Sequence, residues 1–217
     1  MQSQSQTVLV KSIFDLIADA NKETCNNISF IGIENYNLSP EETLTSAGIE
    51  FDKVLRFTDD SIPGVTESGY TMASAGGFTA NFLKAGLPAS AIFLSSRPAG
   101  IAEEDNGALF WAIQALYLHH ELMHAKDLKI ERNFNISKGK VNLVKAEVYA
   151  DVKTLKYFDE LAKSGGDFFR NLYAAGIIGR AKTPIYTKIY NGIKKIIPEA
   201  RLKAWASNSP LPPAEHH

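Results

Sequence analysis

Residues 108–128, ALFWAIQALYLHHELMHAKDL, contain neither glycine nor proline and place apolar side chains at Leu109, Ile113, Leu116 and Tyr117. Nothing in that run breaks an i to i−4 ladder, and the apolar spacing is that of a helix face, so one long helix is predicted from about Ala108 to Leu128. This helix constrains the chain more than any other segment, because it fixes the disposition of three histidines and a glutamate. An α-helix turns about 100° per residue, so His120 and His124 stand one above the other on a single face. Two imidazole nitrogens there can reach one tetrahedral metal ion at about 2.0–2.1 Å. His119 lies about 100° round from His120 and shares no metal with both. It is set aside as a flanking residue, packed or exposed.

HELMH at 120–124 has the HExxH zinc signature. Glu121 sits beside the first ligand, where it can touch a water activated by the metal without binding the metal. Zinc lowers the pKa of such a water toward about 7, and Glu121 would accept its proton as general base. A catalytic site needs a third protein ligand. Asp127 lies about 10 Å along the helix axis from His120. It could ligate only after a sharp turn, and the stretch has no glycine, so it is expected to be solvated or to support the ligands indirectly. KAEVYADVKTLKYF, within a second helix predicted from about Val141 to Lys163, offers a better partner. Glu147 and Asp151 are four apart and share a face that Thr154 and Phe158 continue. An inward acidic pair is costly unless something positive meets it, and a metal would. Glu147 would ligate, and Asp151 would accept the second ring N–H of His120 or His124 and fix its tautomer. The connector KIERNFNISKGK is long enough to bring the second helix back beside the first.

In this order of residues the chain resembles the gluzincin metallopeptidases, whose pattern is HExxH…ExxxD. AEVYAD further resembles the E-x-x-A-(N/D) helix of the compact ImmA/IrrE-like metallopeptidases, although Met123 stands where those carry glycine. HELMHA is equally similar to bacterial effector and neurotoxin zinc proteases. The gluzincin resemblance implies one Zn2+ ion held by His120, His124 and Glu147, with Glu121 as base and Asp151 behind the ligands. It also implies a small sheet ahead of the active-site helix, with an edge strand that pairs with an extended substrate. ASAIFLSS, with Ala91, Ile92 and Phe93 at its centre, is in the place of that strand.

The remaining elements are read from local chemistry. VLVKSIFDLIADANK predicts an amphipathic helix with Ile13, Leu16 and Ile17 inward, after six polar, loose residues. ISFIGIE reads as a strand. SPEETLTSAG is a short helix with Ser39 as N-cap, Pro40 first, Glu42 completing a capping box and Gly48 closing. DKVLRFTDD reads as a strand, SIPGVTESGYTMASAGG suits hairpins or a flap, and SAGGF reads as a turn without the Lys-Ser/Thr of a phosphate loop. Gly165-Gly166 ends the second long helix, and Thr183-Pro184 begins a last one with Ile185, Ile189, Ile193, Ile196 and Ile197 inward, ended by Pro198. The fold expected is α+β: a single domain over 1–217, a small mainly antiparallel sheet packed on a helical half that carries the zinc site. The terminal AEHH has the look of a tag remnant, so His216 and His217 stay outside the site.

A net charge of −1 argues against nucleic acid and acidic membranes. No run reaches the roughly 18 apolar residues of a membrane span. The lone Cys25 and the lack of a secretory signal fit the cytoplasm, and export by a route without a classical signal is compatible with both. The expected activity is hydrolysis of peptide bonds in a protein or extended peptide. Tyr149, Tyr157, Tyr173, Tyr186 and Tyr190 all follow the motif, and Tyr186 and Tyr190, flanking the last apolar stripe, are candidates to stabilise the oxyanion. The alternative is a non-catalytic zinc-containing sensor or interaction module that contacts a partner through Arg180, Lys182, Lys188, Lys194, Lys195, Arg201 and Lys203. Glu121 favours catalysis, since a structural site needs no base beside its ligand.

Overall fold

The computed structural model describes residues 4–32, 38–57, 76–129, 134–135, 140–141, 143–182 and 184–209. It is α+β with a four-stranded mixed sheet. The chain divides into two compact units, Met1–Asn142 and Leu143–His217.

The first unit contains α1 (Gln4–Ala20), β1 (Asn27–Ile31), α2 (Pro40–Ser46), β2 (Lys53–Val54), β3 (Arg56–Phe57), β4 (Gly77–Lys84), β5 (Leu87–Ser95), α3 (Gly107–Lys129), β6 (Phe134–Asn135) and β7 (Lys140–Val141). The sheet order is β1-β5-β4-β2, with β1 parallel to β5 and the other two pairings antiparallel. Between β4 and β5 the chain reverses at Ala85 and Gly86, both left-handed (φ 51° and 74°), the two-residue turn whose twist matches that of its strands. The short β3, β7 and β6 form a separate ribbon in that order.

Side chains alternate along β4. Phe78, Ala80 and Phe82 join Ala91, Phe93, Val54 and Leu44 in one buried cluster. Gly77 and Thr79 have the opposite parity and meet α3. The sheet is therefore covered on both faces, which is why β5 reads as the continuous apolar run Ala-Ile-Phe-Leu rather than as an alternation.

That burial overturns the expected edge strand. Ala91, Ile92 and Phe93 pair with Asn27, Ile28 and Ser29 of β1 on one side and with Ala80, Thr79 and Phe78 of β4 on the other. β5 is central, and its backbone is already occupied. Among the described residues, β2 pairs β4 only at Phe82 and Leu83, with Leu55 N–H donating to Asn81 O just beyond.

α3 is buried on nearly every side from Phe110 to Leu116, more completely than its predicted stripe required. It packs on the sheet and on α1, so the HExxH helix belongs to the sheet-bearing unit rather than to a helical half. α1 starts at Gln4, inside the stretch expected to be loose. Its inward residues are Phe14 and Ile17, with Phe14 edge-on to Trp111 at 5.2 Å, while Leu16 is 60% exposed. Periodicity alone mis-sets this face because Val8 and Leu9 make the helix apolar on more than one side. The capping box at α2 forms as expected: Ser39 N–H donates to Glu42 Oε2 (2.7 Å) and Glu42 N–H to Ser39 Oγ (3.2 Å). Within the predicted strand 52–60, β2 and β3 form with a break at Leu55, while residues 58–60 and the flap segment from 61 to 75 lie outside the described residues.

The second unit contains α4 (Leu143–Leu161), α5 (Asp167–Arg180), α6 (Pro184–Lys194) and α7 (Glu199–Ser207). α4 buries Ala146, Glu147, Ala150, Asp151, Thr154, Leu155 and Phe158, the predicted acidic stripe and its continuation. A wide turn over Ala162–Gly166, with Gly165 at φ 92°, leads into α5, where Phe169 stacks on Phe158 at 5.4 Å. α6 ends at Lys194, three residues before the expected Ile197. Ile189, Ile193 and Ile197 are buried, but Ile196 falls in the turn and is 52% exposed. The side chain of Ile185 and all of Thr183 lie outside the described residues. Pro198 then begins α7 as its N-cap. Arg170 and Arg201 both lie against the Trp205 ring and both pair with Asp159, at 3.1 and 2.7 Å, tying α7 to α5 and α4. Among the described residues, no helix is long and apolar enough to cross a membrane.

Candidate metal centre

One turn of α3 separates His120 from His124, and both are buried. Their rings lie 4.8 Å apart between centroids, with the two Nε2 atoms converging to 3.1 Å. Together with buried Glu147, each offers a ligand atom, and these atoms all lie within 4.8 Å of one another. Two ligands of a tetrahedral ion at about 2.0–2.1 Å stand about 3.3 Å apart, close to the observed nitrogen pair. A carboxylate taken out of water beside two imidazoles is costly unless a cation balances it. Both the spacing and the donor chemistry suit a metal ion.

Glu121 is 5% exposed and lies off the ligand face, because one residue along the helix is about 100° round it. That turn aims it at β4. Thr79 Oγ1 lies 2.7 Å from Glu121 Oε2 and 2.9 Å from Glu121 O, a buried contact from strand to helix. The approach depends on the two glycines of SAGGF, which in the sequence suggest only a turn. A Cβ on Gly76 would sit 1.8 Å from the Tyr117 ring, and one on Gly77 would meet Leu94 at 2.9 Å and Glu121 Cγ at 3.4 Å. Tyr117 and Glu121 are four apart and face the same way, so the Gly-Gly pair lets β4 lie flat on that side of α3. Thr79 is not among the residues expected from the sequence. A Gly-Gly pair leading into an apolar strand is the available sign that a backbone passes close to something.

His119 is packed rather than exposed. Burial, then the charges of Lys126 and His120, push its imidazole down to about 3, so it is neutral. Asp127 is fully buried, so it does not occupy the solvated position expected as one of its two alternatives.

Asp151 is 1% exposed, and its Oδ1 accepts from Tyr173 OH at 2.6 Å and from Arg180 Nη2 at 3.0 Å. In the sequence Tyr173 is one tyrosine among several and Arg180 belongs to a run of surface charge. Their seven-residue spacing puts them on one face of α5, and that is the signal that joins them. Burial first, then the Asp151 carboxylate, raise the Tyr173 hydroxyl well above 10.0. The Arg180 guanidinium lies over the ring of Tyr186 at 5.1 Å. Tyr190 is committed elsewhere: its hydroxyl donates to Glu199 at 3.4 Å, and Lys194 lies 4.8 Å over its ring.

Compared with protein-family models, with curated proteins and with solved structures, the chain matches none.

Proposed function

We propose that the chain is a zinc-dependent metallopeptidase in which His120, His124 and Glu147 hold one Zn2+ ion and Glu121 is the general base. The observation that carries this reading is the buried two-histidine, one-glutamate group with a further glutamate at the adjacent position, tethered to a strand rather than added to the ligands. Three nitrogen and oxygen ligands with a fourth position left open suit catalytic zinc. Zinc there supplies Lewis acidity, polarising a carbonyl oxygen and bringing the pKa of water down to about 7. Glu121 takes the proton of the attacking water and returns it to the departing amide nitrogen, so that one water and one peptide bond become a carboxylate and an amine.

The substrate is a protein or an extended peptide. Of the two tyrosines expected to meet the oxyanion, Tyr190 is turned to Glu199, which leaves Tyr186 as the candidate. The rival reading, a non-catalytic module acting through its basic C-terminal region, loses support from the ion pairs of Arg180, Lys194, Arg201 and Lys203 with Asp151, Glu199 and Asp159. The test is release of fluorescein-labelled peptides from casein by zinc-loaded wild type and Glu121→Gln at equal zinc content. Cleavage by wild type that falls at least a hundredfold in Glu121→Gln is expected. Equal rates refute the peptidase.

A further inference from the structure

We infer that Thr79 is a positioning residue for Glu121, holding one carboxylate oxygen so that the other is presented for proton transfer. The inference rests on the peptidase reading and adds to it a residue from a different element. A threonine hydroxyl carries a single proton, and Thr79 Oγ1 has two acceptors in reach: Glu121 Oε2 at 2.7 Å and Glu121 O at 2.9 Å. The contact to the carboxylate is the shorter and the charge-assisted one, so it takes the larger share of the bond. A plain tie of strand to helix would need only the carbonyl. The second contact, to the functional end of the side chain, marks a device that orients a carboxylate.

The surroundings support the same purpose. Thr79 is 7% exposed and Glu121 is 5% exposed, so the bond is shielded from competing water. Its donor stands on a strand hydrogen-bonded to β5 along its whole length, from Gly77 opposite Leu94 to Lys84 opposite Leu87. Thr79 is β-branched and has few rotamers, so strand position fixes hydroxyl position. Gly77 keeps the strand close, since any side chain there would meet Leu94 at 2.9 Å and Glu121 Cγ at 3.4 Å. With Oε2 tethered, rotation of the Glu121 carboxylate about its last torsion is restrained, and Oε1 is the atom left to take the proton. A base displaced by about 1 Å can cost on the order of 100-fold in rate.

The experiment compares zinc-loaded wild type, Thr79→Val, Thr79→Ser and Glu121→Gln on fluorescein-labelled casein, with zinc content measured for each. It adds the side-chain carboxyl 13C resonance of Glu121, assigned by its loss in Glu121→Gln. Thr79→Val conserves shape and removes only the hydroxyl. The expected result is full zinc content, a fall in kcat of about 10- to 100-fold with KM within a factor of two, a shifted Glu121 carboxyl resonance, and recovery of both in Thr79→Ser. If wild type cleaves in a Glu121-dependent manner and Thr79→Val keeps its kcat, the positioning role is overturned and the peptidase stands. The positioning role is equally overturned if Thr79→Ser is as slow as Thr79→Val, if KM alone changes, or if the resonance does not move. If wild type and Glu121→Gln cleave alike, the peptidase reading fails first, and the role of Thr79 fails with it.

Discussion

Replacing Asp151 with alanine should unfold the helical unit far more readily, by an amount that follows from its two partners. The carboxylate is 1% exposed and accepts from Tyr173 at 2.6 Å and Arg180 at 3.0 Å. Removing one member of a buried ion pair costs about 3–5 kcal/mol, chiefly because the other charge is left behind. Arg180 is 32% exposed and regains some water, which puts the cost at the lower end, about 3 kcal/mol. Asp151→Asn keeps an acceptor for Tyr173 but loses the ion pair, so about 1–2 kcal/mol is expected. The chain has two tryptophans, Trp111 in the first unit and Trp205 in the second. Urea unfolding of 5-fluorotryptophan protein in EDTA, followed by 19F NMR, therefore reports on each unit through its own resonance. At Trp205 the order of stability should be wild type, then Asp151→Asn, then Asp151→Ala. A loss below about 1 kcal/mol in Asp151→Ala would show that the carboxylate is not held by the helical unit as argued.

Glu147→Ala should lose zinc at stoichiometric loading while Asp127→Ala retains it, measured by plasma mass spectrometry; the reverse pattern would move the third ligand to Asp127. Because Tyr173 has a folded pKa raised above its ordinary value of 10.0, its contribution to stability is complete below that pH and is lost as pH rises beyond it. Absorbance at 295 nm should accordingly show one tyrosine that ionises only with unfolding, and Tyr173→Phe should abolish that step. Gly76→Ala puts a Cβ 1.8 Å from the Tyr117 ring and should cost about 1–3 kcal/mol at the Trp111 resonance, a loss that Tyr117→Ala in the same chain relieves. Stripping zinc with EDTA should lower the melting temperature, with full recovery on zinc addition, because an ion that binds only the folded state at about 1,000 times its Kd adds about 4 kcal/mol.

How much of this is legible in the sequence depends on the range over which each signal acts. The capping box at Ser39 and Glu42, the helix over 108–128 and the stripe Glu147-Asp151-Thr154-Phe158 are set by contacts within one or two turns, and all appear as expected. Residues that meet across the chain leave fainter marks. Ala91-Ile92-Phe93 has the pattern of a strand, but whether a strand is central or at an edge depends on its neighbours, here Asn27–Ile31 and Gly77–Lys84. Leu16 and Ile196 are apolar yet exposed, since periodicity names candidate faces and packing chooses among them. Thr79 shows nothing by itself; only the strand that brings it to Glu121 gives it meaning.

The disposition of buried charge connects these features. Glu121, Asp127, Glu147 and Asp151 are all at most 7% exposed, an acidic load that no ordinary core carries without compensation. For Asp151 the compensation is Arg180 with Tyr173; for Glu121 it includes the Thr79 hydroxyl. Glu147 differs in its company: it and the two imidazoles each offer a ligand atom, all within 4.8 Å of one another. A divalent cation would turn that arrangement from a cost into a source of stability, since it would meet the carboxylate and both ring nitrogens at once. Glu121 and Glu147 would then serve opposite ends through their partners. On the proposed reading, Glu147 would be committed to the metal, and Glu121 would be held to the strand by the Thr79 hydroxyl. In this chain the helix supplies the register, and β4 supplies the restraint.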